Sequence, residues 1–270
     1  MPSVIDAHVH VWTDDIARYP RAVGQRDYPP PRFAPADLFA HSKPAGVTKI
    51  VLIQMSFYRF DNSYMLDCMR AHPGVFGGVG IVDSAAPDPG QAMKALAARG
   101  VRGFRIVSVP DSAGMHAMWR AAAAENLAIC ALLGPDALPA LDRMCRQYPS
   151  TPVVIDHLAR IGADGTIRDS DIRLLSALAR HPLVKVKASA FYALGKKAAP
   201  YTDLKPLFRR VFEDFGPRRL MWASDCPFQV GEGHEYGPSL ALITDHMPFL
   251  SADDRDWILG RTAESVFFRP

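Results

Sequence analysis

Short apolar runs alternate with longer stretches of helical spacing along most of the chain. The runs are Val4–Trp12, Lys49–Gln54, Val75–Val82, Val101–Ser108, Ala128–Gly134, Pro152–Ala159, Val184–Ala190 and Arg219–Pro227. Short and nearly continuously hydrophobic, they suit strands covered on both faces. Between them Asn62–Ala71, Gln91–Arg99, Met115–Glu125, Ala137–Gln147, Asp171–Arg180 and Leu204–Phe215 read as helices. Gly46-Val47, Gly100-Val101 and His181-Pro182 read as helix stops leading into strands. A strand-then-helix rhythm with eight strands predicts an α/β protein, a single (β/α)8 TIM barrel over residues 1–270. A doubly wound open sheet competes, but no predicted strand runs into a Gly-rich phosphate loop. No linker, low-complexity stretch or internal repeat divides the chain.

Residues Thr13 to Pro35 break the rhythm. With Tyr19-Pro20 and Pro29-Pro30-Pro31 they predict a long irregular loop after strand 1. Loops that follow strands build the active-site face of such a barrel, so this one is a lid, a substrate wall, or a packing insertion.

Composition narrows the partners. Hydrophobic residues are 49% of the 270 and charged residues 22%, as in a globular domain. Thirty-one Lys and Arg against 28 Asp and Glu give +3, with no block of like charge, which argues against a nucleic-acid or membrane surface. No apolar run approaches a membrane span, and the start does not read as a secretion signal. Cys68, Cys130, Cys145 and Cys226 are scattered, so neither a disulfide framework nor a Cys-rich zinc site is expected, and the cytoplasm is the default location. A homo-oligomer is compatible with all of this.

The candidate chemistry sits at the ends of the runs. In an extended Asp6-Ala7-His8-Val9-His10, alternation puts Asp6, His8 and His10 on one face and Ile5, Ala7 and Val9 on the other. Two imidazoles on one face can converge on a metal or a reacting oxygen, or be buried and satisfied by hydrogen bonds. Asp225 ends the eighth run on the face of Met221 and Ala223, where a carboxylate needs a partner; it is a candidate general base. By the same alternation His157 points inward with Val153 and Ile155, leaving Asp156 on the opposite face. His8, His10, His157 and Asp225 together suit one divalent ion with a position left for water. Arg105 and Arg160 reach the same rim and suggest an anionic small-molecule substrate, or else structural ion pairs. Gln54, Tyr58 and Asn62 are further polar candidates. Lys187, on a strand with Lys185 and Ser189, is expected to point inward, pairing with Asp6 or contacting substrate. Phe57, Tyr58, Phe191, Tyr192 and Phe228 wall a pocket or pack the rim, and His234 lies in a loop after the eighth strand.

Asp6-Ala7-His8-Val9-His10, Asp156-His157-Leu158-Ala159-Arg160 and Trp222-Ala223-Ser224-Asp225-Cys226-Pro227 together resemble the amidohydrolase superfamily, more narrowly its lactonase branch. The resemblance runs through the whole chain. It takes in Gln54 with Asp61-Asn62, Arg102-Gly103-Phe104-Arg105 and Val186-Lys187-Ala188-Ser189. It implies a hydrolase opening a lactone ring, with Asp225 activating water and His157, His8 and His10 stabilising charge on the carbonyl oxygen. Arg105 and Arg160 then anchor a carboxylate, with Ser189 and Lys187 close by. Lactone isomerisation and decarboxylation occur among relatives, and a non-catalytic binding barrel is the alternative of another class. Many superfamily members build a two-metal centre with a lysine ending strand 4 and a histidine ending strand 5. This chain has Arg105-Ile106-Val107 and Leu132-Leu133-Gly134 there, so the resemblance implies one zinc-like ion or catalysis without metal.

Overall fold

The computed structural model describes residues 3–25 and 28–269; residues 26 and 27 of the loop after strand 1 lie outside them. Among the described residues eight parallel strands form one sheet in sequence order. They are β1 (Val4–Val9), β2 (Val47–Ile53), β3 (Phe76–Gly80), β4 (Val101–Ile106), β5 (Ala128–Ala131), β6 (Val153–Ile155), β7 (Val184–Ala188) and β8 (Leu220–Trp222). The barrel closes just past β8. There the Asp225 N–H donates to the His8 carbonyl at 2.9 Å and the His10 N–H to the Cys226 carbonyl at 2.8 Å. The (β/α)8 barrel expected from the apolar rhythm is therefore present.

The helices between strands are α1 (Pro35–Ser42), α2 (Ser63–Ala71), α3 (Pro89–Ala97), α4 (Ala113–Ala124), α5 (Leu138–Gln147), α6 (Asp169–Ala177) and α7 (Lys205–Phe215), and α8 (Tyr236–Thr244) follows β8. Their starts obey local chemistry: Asp88 caps α3 through the Gln91 N–H and Ser112 caps α4 through the Met115 N–H. Gly46 and Gly100 take φ of +77° and +97° just before β2 and β4, the left-handed stop their sequence suggests. No helix among the described residues is long and apolar enough to cross a membrane.

Two apolar layers support the barrel. Ile50, Leu52, Phe104, Ile106, Ile129, Val153, Ile155, Val186 and Trp222 belong to the layer between strands and helices. Ile5, Ala7, Val51, Ile53, Val79, Ala128, Cys130, Val154, Met221 and Ala223 form the inner one. Ala263, Val266 and Phe267 of the C-terminal helix α9 (Thr262–Phe267) pack into that inner layer. A turn of π-helix, Trp257–Arg261, leads into α9, and Gly260 lies so close to Ser3 that a Cβ would fall 2.2 Å from its carbonyl oxygen.

This layering corrects two expectations of strict alternation. Asp6 pairs with Ile50 and Val9 with Leu52, so β1 holds one residue more than β2 over that interval, a bulge. Ile5 and Ala7 consequently face inward along with His8, while Asp6 turns toward Ser224 and Tyr236. In β6 it is Val154 and Asp156, not Val153 and Ile155, that belong to the interior.

The loop after β1 is fastened down. Trp12 and Phe33 form an antiparallel bridge, the Trp12 indole donates to the Pro30 carbonyl at 2.9 Å, and the Tyr19 hydroxyl donates to Asp67 at 2.7 Å. It packs against the rim and also supplies Tyr28 to the cavity above the barrel.

Candidate active site

A cavity of about 470 Å³ opens at the C-terminal ends of the strands, lined among others by His10, Arg105, His157, Arg160, Lys197 and Asp225. His8 lies beneath it, fully buried.

The bulge in β1 sets the first part of the site. The Asp6 carboxylate accepts the His8 N–H at 3.3 Å and the Ser224 N–H at 2.8 Å, stitching β1 to the end of β8. The Tyr236 hydroxyl donates to it at 2.6 Å. Lys187 therefore does not pair with Asp6. It is fully buried, with its Nζ 3.0 Å from Asp156 Oδ1 and 3.2 Å from His8 Nδ1.

His157 arrives by a different route. His157, Leu158, Ala159 and Arg160 all have φ between +49° and +56°, a left-handed turn made without glycine. Such backbone costs roughly 1–2 kcal/mol per residue and persists only where its surroundings impose it. Extended backbone continuing the alternation of β6 points Asp156 into the barrel, and the turn that follows brings His157 and Arg160 to the cavity wall. His157 Nδ1 lies 2.8 Å from the Ser189 hydroxyl, which leaves Nε2 for the site.

Asp225 stands at the centre. Its Oδ1 is 3.4 Å from His8 Nε2 and 3.6 Å from His10 Nε2, and its Oδ2 is 3.9 Å from His157 Nε2. The Tyr192 hydroxyl donates to Oδ2 at 2.7 Å, whereas Oδ1 is buried with no hydrogen-bond partner among the described residues. Burial pushes this carboxyl up, but positive charge among His157, His10 and His8, from a ring proton or a bound cation, holds it below the usual range. Burial pulls His8, His10 and His157 down, so all three favour the neutral ring.

These tautomers test the site for a cation. His10 Nδ1 lies 2.9 Å from the Ile53 carbonyl and must donate to it, so Nε2 carries a lone pair. That lone pair points at His8 Nε2, 3.3 Å away, with Asp225 Oδ1 close to both. The Arg105 guanidinium donates to His8 Nε2 at 2.8 Å, which makes this nitrogen an acceptor as well. Acceptors converging in this way need positive charge between them. Ligand atoms of His8, His157 and Asp225 also lie within 4.8 Å of one another. Neutral imidazoles and an ionised carboxylate are the donors a zinc-like ion takes, so the residues fit one divalent ion. Arg105 would have to release His8 Nε2 to admit it.

Arg105 also donates to Asp156 Oδ2 at 3.3 Å. The two cations Lys187 and Arg105 keep Asp156 well below its usual range although burial alone would raise it. Gln54, Tyr58 and Asn62 do not join the site. Asn62 is bonded to backbone groups of Phe60 and Ile81, Gln54 to the Asp61 carbonyl, and the Tyr58 hydroxyl to the Thr13 N–H. Phe57, Tyr58 and Phe191 pack within the outer core, whereas Tyr192 and Phe228 line the cavity. Lys197, Asp156 and the hydrogen bond of Tyr192 are not anticipated from the sequence. Lys197 lies in the loop after β7, where no periodicity marks its direction.

Comparison with known proteins identifies the family. The amidohydrolase family model matches residues 5–269. L-fucono-1,5-lactonase of Burkholderia ambifaria is 32% identical, covering 96% of this chain and 93% of the relative. 4-Sulfomuconolactone hydrolase of Rhizobium radiobacter is 26% identical over 82% of this chain and 75% of that protein. Among solved structures, an amidohydrolase from Burkholderia multivorans with bound zinc superposes with a TM-score of 0.79 at 23% identity, covering 99% of this chain and all of that one.

Proposed function

The chain belongs to the amidohydrolase family, and we propose that within it the protein is a lactonase, a carboxylic ester hydrolase that opens the ring of a small anionic lactone with water. The observation that carries the reading is Asp225: a buried, ionised carboxylate with one oxygen unpartnered, facing three imidazoles at the floor of a ligand-sized cavity. Two relatives named as lactone hydrolases, one acting on a sulfonated lactone by its name, support the substrate class.

In this mechanism Asp225 Oδ1 takes a proton from water as the oxygen attacks the ring carbonyl. Where no ion is bound, His157, with Nδ1 accepting from the Ser189 hydroxyl, presents its Nε2–H to the developing oxyanion. The proton held by Asp225 is then returned to the ring oxygen as the C–O bond breaks. Arg105, with a buried Nε–H that has no partner, faces the cavity with Arg160 and Lys197, and these cations orient the anionic group of the substrate. A divalent ion held by His8, His157 and Asp225, with His10 adjacent, supplies Lewis-acid polarisation when bound.

Hydrolysis of a panel of sugar-acid and unsaturated dicarboxylate lactones, followed by acid release, tests the reading. Product analysis separates ring-opened acid from rearranged lactone or released CO₂; either of the latter would replace the hydrolase with an isomerase or a decarboxylase. Repeating the panel after chelation, with elemental analysis, tests the ion. Lost turnover restored by zinc supports it, and full turnover of metal-free protein leaves Arg105 as the cation that balances His8.

A further inference from the structure

We propose that Tyr192 is a positioning residue that divides the labour between the two oxygens of Asp225. The inference rests on Asp225 being the base. Tyr192 follows β7, and its hydroxyl is 2.7 Å from Asp225 Oδ2. Oδ1 receives no hydrogen bond and lies nearest His8 and His10. A free carboxylate can rotate about its Cβ–Cγ bond and present either oxygen. With Oδ2 tied to a phenol, rotation breaks a charge-assisted hydrogen bond, so the carboxylate plane is held and Oδ1 stays toward the attacking water.

The phenol is itself held. Its ring lies 5.9 Å, centroid to centroid, from that of His234 in the loop after β8. His234 Nδ1 is 2.9 Å from the Tyr201 hydroxyl, which accepts from the Gln229 amide at 2.9 Å. The Gln229 amide also donates to the Glu235 carbonyl, closing the loop on itself. The loops after β7 and β8 are therefore tied together at the Tyr201 hydroxyl, with His234 against the Tyr192 ring whose own hydroxyl meets Asp225. His234, in the loop after the eighth strand, packs against Tyr192.

Tyr192→Phe removes the hydroxyl and keeps the ring and its contact with His234. On a lactone the wild type opens, kcat is expected to fall tenfold to a hundredfold while KM changes less than threefold. The melting temperature should stay within about 3 °C, and a crystal structure of the variant should show the Asp225 carboxylate rotated or in two orientations. A kcat within twofold of wild type would overturn the inference. So would a change confined to KM, which would make Tyr192 a substrate contact, or a melting temperature lowered by more than about 8 °C, which would make it a structural strut. Wild type inactive on every lactone counts against the lactonase reading and not against Tyr192. In that case the carboxylate orientation in the variant decides alone, and an unchanged orientation overturns the inference.

Discussion

Asp156 and Asp225 end two strands of the same barrel, both buried and both held below the usual carboxylate range, yet their surroundings differ in one respect. Asp156 lies between two fixed cations: Lys187 Nζ is 3.0 Å from Oδ1, and Arg105 donates to Oδ2. Asp225 has no such cation: one oxygen is bonded to Tyr192, and the other, without a hydrogen bond among the described residues, lies beside His8 and His10. The first arrangement satisfies a buried charge by pairing it, as folding requires. The second keeps a buried base available and accepts the cost of an unsatisfied oxygen. The contrast separates the floor of this barrel, which is built for stability, from its rim, which is built for chemistry.

Removing each carboxylate's charge relations breaks the comparison in different currencies. Asp225→Asn keeps the shape and removes the base, so turnover is expected to fall about 10³-fold, or about 4 kcal/mol of barrier, with little change in urea stability. A variant within tenfold of wild type would end the assignment. Lys187→Met leaves Asp156 buried with Arg105 alone and is expected to cost about 3–5 kcal/mol in urea unfolding. If stability instead holds while activity disappears, Lys187 belongs to the rim and not to the floor.

The cations of the wall come next. Arg160→Ala or Lys197→Ala should raise KM about tenfold on a carboxylated lactone and much less on a neutral one, with kcat nearly kept. Equal effects on both substrates would remove the anchoring role.

The smallest effect concerns a carboxylate outside the barrel. Asp142 on α5 is bonded to Arg180 and to His181, the latter at 2.8 Å, and pairs with Arg146 at 2.9 Å. Burial pushes its pKa up, but His181, Arg180 and Arg146 outweigh it and leave it below 3.8. Its contribution is therefore complete above the unfolded value near 3.8 and lost as pH falls through the lower folded value. Asp142→Asn should cost on the order of 1 kcal/mol at pH 7 and reduce the loss of stability below pH 4. The same pH slope in wild type and variant would assign that loss to other carboxylates.

Legibility differed along the chain for physical reasons. The eight apolar runs, the glycine stops and the six helices named from spacing were readable because burial on both faces and left-handed caps leave marks in adjacent residues. α1 and α8 went unread. Asp225 and the histidines of β1 were readable as chemistry because such residues are costly in a strand that only packs. Gln54, Tyr58 and Asn62 looked equally chemical, but their polar groups serve the backbone of the loops after β1, β2 and β3, where the folded chain decides the partner.

By itself, then, the sequence determined the barrel, the rim on which polar residues gather, and the family. Tertiary structure alone decided which way each of them faces. One extra residue in β1 breaks its alternation and turns Asp6 away from His8 and His10, and a left-handed turn carries His157 to the cavity while Asp156 takes the interior. It also decided that Lys187 meets Asp156 and that Tyr192 meets Asp225. Periodicity along a strand is a local property, whereas a bulge, a strained turn or a cross-barrel ion pair is settled by what the closing sheet brings alongside.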